Sequence, residues 1–121
     1  MLEYEEGLQE AKKTYPFAIW KTYQQHMERY TPENCEAAQK IFDDLISKLT
    51  MLGSDSEEAE KVSCFKFAVE ALNRLNDYTG IIETGEREEL CELIDLITRR
   101  AGLDPDNYAG GDGMADLWRG W

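Results

Sequence analysis

The chain has 121 residues, 42% of them apolar, and carries 25 acidic against 13 basic side chains for a formal net charge of −12. That length suits one domain that buries a core without disulfides or metals, and the apolar share is too high for a disordered chain. So negative a surface repels phosphate, which excludes nucleic acid as an expected ligand, and it attracts and steers basic proteins.

No wholly apolar stretch exceeds a few residues, so no transmembrane helix is expected. Met1-Leu2-Glu3-Tyr4-Glu5-Glu6 is acidic and lacks the basic start of a secretory signal, which makes the cytoplasm the expected location. Cys35, Cys64 and Cys91 are odd in number, far apart and without CxxC spacing, the pattern of small apolar residues rather than of disulfides or zinc ligands.

Breakers divide residues 1–121 into one all-α domain, a compact helical bundle of four main helices plus a short C-terminal helical segment. The first helix carries Tyr4, Leu8, Ala11 and Tyr15 on one stripe from Leu2 to about Thr14. Pro16 then allows a kink or a fresh start. Thr14 is the candidate cap of a segment running to Tyr30, with Trp20, Tyr23, Met27 and Tyr30 at helical spacing. Thr31 and Pro32 have the chemistry of a helix cap and first position. The second helix follows with Ala38, Ile41, Phe42, Leu45, Ile46, Leu49 and Leu52 on its apolar face and Gly53 as a left-handed C-terminal cap. Ser54 to Glu58 reads as a polar turn and a new N-terminus.

The third helix runs to about Tyr78 and closes at Gly80. Val62, Phe65, Ala68, Val69, Leu72 and Leu75 cover one side, and Cys64, Phe67 and Ala71 widen the stripe. A helix apolar on most sides is expected to be central and the most buried. The fourth begins near Thr84, with Glu86, Glu88 and Glu89 in its first turns and Arg99 and Arg100 in its last, as the helix dipole favours. Leu90, Leu93, Ile94, Ile97 and Ala101 line its core face.

Catalytic and metal signatures are missing. His26 is the only histidine, and Tyr23 precedes it by three where a di-iron bundle needs Glu. There is no nucleophile elbow and no P-loop, and Gly110-Gly111-Asp112-Gly113 lacks the lysine and hydroxyl that hold phosphate. A calcium loop begun at Asp104 places Ala109 where glycine is required and Ala115 where a bidentate Glu is required, which leaves at most an adventitious cation. The expectation is a non-enzyme with no metal and no cofactor.

The charge is uneven. Residues 31–60 carry eight acids and two bases, a net of −6, and residues 81–121 carry ten acids and four bases, again −6. Asp43, Asp44, Glu88, Glu89, Glu92 and Asp95 are therefore the candidate partner-binding residues, presented side by side by the second and fourth helices. The alternative is solvated surface that aids solubility. Trp118, Arg119 and Trp121 fall within four residues, and Trp and Arg are enriched in binding hot spots. Trp118 and Arg119 join the candidates. The competing expectation is that at least one of Trp118 and Trp121 folds back onto the bundle while Arg119 pairs with Glu83 or Glu86.

Across the C-terminal half, Ala71-Leu72-Asn73-x-Leu75-Asn76, Ile82-Glu83-Thr84-x-Glu86-Arg87-Glu88-x-Leu90-Cys91, Ala101-Gly102-Leu103, Asp112-Gly113 and Trp118-Arg119-x-Trp121 stand in order. This pattern resembles small acidic helical immunity proteins of bacterial polymorphic toxin and contact-dependent inhibition systems. The resemblance implies a protein that binds and blocks a cognate toxin domain without catalysis, and it marks no toxin-contacting residue. An acidic structural or adaptor domain with no toxin partner is the alternative.

Overall fold

Helix α3, Pro32–Leu52, starts where Thr31 accepts a hydrogen bond from the Asn34 N–H at 3.1 Å and Pro32 takes the first turn. The computed structural model describes residues 2–23 and 28–121. Ahead of α3 lie α1, Leu2–Ala11, and the short α2, Phe17–Thr22. After it come α4, Glu58–Thr79, and α5, Thr84–Arg100, followed by 3-10 turns at Pro105–Asn107, Ala109–Gly111 and Met114–Leu117. There is no strand among the described residues, and the fold is an all-α compact bundle. Among the described residues no helix is long and apolar enough to cross a membrane.

The first segment departs from the expected pattern. Thr14 caps nothing: its hydroxyl donates back to the Ala11 carbonyl at 2.8 Å, and Pro16 holds the cap position of α2. Helix α2 ends at Thr22. Tyr30 sits buried in non-helical chain just before α3, against Trp20 and Tyr23 with ring centroids 6.1 and 5.4 Å away. Thr31 must be extended both to cap α3 and to precede Pro32, so no helix runs through to it. His26 and Met27 lie outside the described residues.

Phe17, Trp20, Phe42 and the half-buried Tyr15 form an aromatic cluster, edge-to-face except for the tilted Phe17–Phe42 pair, that pins the 12–22 segment onto α3. Leu8, Leu45, Leu49, Phe65, Leu72, Leu90, Ile94 and Ile97 continue the same core across the other helices. Helix α3 packs chiefly on α4, with α1 and α2 alongside, while α5 lies against α1 and the C-terminal turns. Two buried charged groups secure the ends of α5. At its C-terminus the Lys61 ammonium donates to the carbonyls of Ser54 at 2.9 Å and Ala101 at 2.8 Å.

At its N-terminus Glu86 closes a capping box with Glu83 and accepts from the Tyr30 hydroxyl and from Arg29 at 3.3 Å.

Helix α4 is not the central, most buried helix that its wide stripe predicts. Phe67 is 55% exposed, and Cys64 and Ala71 are half-buried. They line a shallow groove against α3, where the Lys48 ammonium sits 3.4 Å from the Phe67 ring centroid. With α3 as its close neighbour, α4 buries one face and leaves the widened edge to solvent. Leu72→Ala should therefore lower stability by about 2–5 kcal/mol in urea denaturation, while Phe67→Ala on the same helix should cost about 1 kcal/mol or less.

Candidate functional site

Along α5 the exposed positions from Glu88 to Glu92 are acidic, while the exposed Arg99 and Arg100 close the helix. Leu90, Leu93, Ile94 and Ile97 are buried, whereas Glu88, Glu89 and Glu92 are exposed and Asp95 is half-buried. Glu88, Glu92 and Asp95 recur at i, i+4 and i+7, which puts them on one stripe. The C-terminal turns extend it. Gly113, at φ +103°, brings the backbone so close that a side chain there would meet the Asp95 carboxylate: an ideal Cβ lies 2.6 Å from Oδ1. Burial raises the Asp95 pKa above the usual range, and Asp116, Asp106 and Glu92 add to the rise against the opposing pull of Arg99. Four carboxylates thus share one region of the surface.

Beside this stripe is a cleft of about 290 Å³ between α5 and the corner that precedes α2, lined by Thr14, Pro16, Glu89, Glu92, Leu93 and Leu96. Its floor is apolar and its rim carries two carboxylates. The Trp20 indole N–H donates to Glu89 Oε1 at 3.3 Å and orients that side of the rim. The sequence hid this cleft because Thr14 and Pro16 are brought to α5 only by the turn before α2.

Asp43 and Asp44 do not join these acids. The corner at residues 12–16 stands between them: Tyr15 donates its hydroxyl to Asp43 at 2.9 Å, while its neighbours Thr14 and Pro16 border Glu89 and Glu92. Lys12 also lies 4.0 Å from Asp43, and Asp44 pairs with Lys40 one turn away at 2.9 Å. The six predicted acids therefore divide into a neutralised pair on α3 and a concentrated group on α5.

The 112–121 segment folds back. Asn73 of α4 donates to the Trp118 carbonyl at 2.9 Å and accepts from the Gly120 N–H at 2.8 Å, and both Trp118 and Trp121 pack partly buried against the core. Arg119 pairs with Asp116 and donates to the Trp121 carbonyl. It does not reach Glu83 or Glu86, because Arg29 takes both, at 3.4 and 3.3 Å.

Among the described residues no group of three His, Cys, Asp or Glu side chains is placed to hold a metal ion. Cys35, Cys64 and Cys91 are free, and burial pushes all three thiols up, away from the reactive thiolate. No family model, curated protein or solved structure matches this chain. The arrangement suits recognition of positive charge.

Two carboxylates on α5 should respond oppositely to pH. Burial pushes Glu86 up, but the Tyr30 hydroxyl, backbone N–H groups and Arg29 outweigh it and hold the group below the usual range. Its contribution to stability is present at neutral pH and is lost as pH falls through its lowered pKa. Glu86→Gln should lower stability by about 2 kcal/mol at neutral pH, with the deficit shrinking on acidification. Asp95 is raised, so the native state binds its proton more tightly than the unfolded chain does, and ionisation weakens the fold as pH rises. Asp95→Asn should stabilise the protein at pH ~7 and change little below pH ~3, where the parent side chain is also neutral. Denaturant melts of each variant across that range check both signs. Gly113→Ala should cost about 1–3 kcal/mol from strain at positive φ, and the Asp95 carboxylate must also shift away from the new Cβ.

Proposed function

We propose that this chain is a non-catalytic protein-binding inhibitor that receives a basic protein surface on the acidic face of α5, and that it acts as an immunity protein neutralising a cognate bacterial toxin domain. The observation that carries the reading is the crowding of Glu92, Asp95, Asp106 and Asp116 at one place. Burial is the main cause of the raised Asp95 pKa, and the neighbouring carboxylates add to it against Arg99, so part of the cost of holding this group comes from like charge. A surface acidic only for solubility is served as well by dispersed charge.

The cleft beside this stripe supplies a specific anchor. A lysine or arginine stem from the partner lies along Pro16, Leu93 and Leu96 while its charged head meets Glu89 and Glu92. Toxin domains that act on nucleic acid are commonly basic, and an acidic inhibitor associates with them quickly through long-range steering. The packed Trp118 and the Asp116-paired Arg119 contribute chiefly by holding the Asp116 turn in place.

The test is stopped-flow association with the toxin domain encoded beside this chain. Glu89→Lys combined with Glu92→Lys should slow association about tenfold or more, and added salt should slow the parent while the off-rate changes less. Asp44→Lys, on the neutralised α3 pair, should have a much smaller effect. Binding indifferent to salt and to reversal on α5 overturns the assignment of the surface. A neighbouring gene product that does not bind overturns the immunity reading.

A further inference from the structure

Helix α4 differs from the rest of the surface in charge. Between Ser63 and Tyr78 it carries Lys66, Glu70, Arg74 and Asp77, which sum to zero in a chain of net charge −12. The same face exposes two aromatic rings, Phe67 at 55% and Tyr78 at 92%. They are eleven residues apart, close to three full turns, so they lie on one stripe with Arg74 between them. Lys66, Arg74 and Asp77 are exposed and Glu70 is half-buried. None of the four takes part in an ion pair among the described residues, although their spacing along the helix allows it.

We propose that this face docks against the same face of a second copy of the chain, with the two α4 helices antiparallel about a two-fold axis that crosses the exposed face at the level of position 72. A two-fold contact is self-complementary: when one residue meets another, the second meets the first. Centred at position 72, the axis sets Glu70 opposite Arg74 of the second copy, and Arg74 opposite its Glu70. It also brings Lys66 next to Asp77 of the second copy and Phe67 next to Tyr78 of the second copy. The order of charges selects this geometry, because a parallel pairing sets Glu70 on Glu70 and Arg74 on Arg74, which repel. Two copies approaching through α1 or α5 bring acidic faces together. The α4 face is neutral and offers aromatic area to bury. A single helix pair covers less than the 1,200 Å² or so of a standard stable interface, so the association is reversible and concentration-dependent.

Sedimentation equilibrium from about 10 µM to about 1 mM tests this, spanning the range of a weak complex. The parent should pass from monomer to dimer. Arg74→Glu should weaken the dimer about tenfold or more by facing two carboxylates across the axis. Glu70→Arg combined with Arg74→Glu should restore it, because exchanging the charges recreates the same two pairs. Circular dichroism confirms that each variant is folded. A parent that stays monomeric throughout, a dimer indifferent to Arg74→Glu, or a folded double variant that fails to recover association each overturns the proposal. The α5 carboxylates take no part, so this result is independent of toxin binding.

Discussion

The Lys61 ammonium is the constraint on which the arrangement of the long helices depends. It is 5% exposed, and no carboxylate among the described residues lies within ion-pair distance of it. Its partners are two backbone carbonyls, one in the turn after α3 and one at the C-terminal end of α5. The negative end of the α5 dipole favours a cation there, and a buried ammonium without such partners is costly. One side chain from the first turn of α4 thereby ties the turn after α3 to the C-terminal end of α5. The ring of Tyr4, with its centroid 5.3 Å from the same ammonium, brings α1 into the arrangement, and its hydroxyl donates to the Leu49 carbonyl at 2.9 Å.

The opposite end of α5 is held by a carboxylate. Glu86 gathers the Tyr30 hydroxyl, Arg29 and the Glu83 N–H, so the chain entering α3 is tied to the start of α5. With both ends anchored, α5 presents its outer stripe at a defined angle. The C-terminal turns then lie across that stripe, kept in place by Asn73 and by the close approach of Gly113 to Asp95. Much of the acid group is thus held on rigid supports, and preorganised charge loses less freedom on binding than charge on a mobile loop.

The two proposed surfaces have different physics. The α5 face concentrates one sign of charge beside an apolar cleft, which favours fast capture of a basic partner. The α4 face is neutral and aromatic, which favours a slower contact dependent on shape. A chain of this net charge has few surfaces where two copies approach without repulsion, and α4 supplies one.

How much of this was legible in the sequence differs by element. The helical period of the apolar residues, the Thr31-Pro32 start, the closing Gly80 and the acidic-to-basic gradient along α5 were sufficient to define the all-α architecture and most helix limits. These signals are local, and each acts within a turn or two of chain. The burial of α4 was misjudged because the width of an apolar stripe does not reveal how many neighbours a helix has. The acids at Asp43 and Asp44 were misgrouped because a corner at Pro16, distant in sequence from both helices, carries Tyr15 and Lys12 to Asp43. The joining of Asp106 and Asp116 to Asp95, the cleft at Glu89 and Glu92, and the capture of Arg29 by Glu83 and Glu86 likewise depend on contacts between remote residues. The sequence by itself determined that the long segments become helices and where their acids fall along the chain, but not that α2 stops at Thr22. The tertiary structure alone decided which acids stand together and which are neutralised, because charges interact through space at distances of a few ångströms that chain order does not encode.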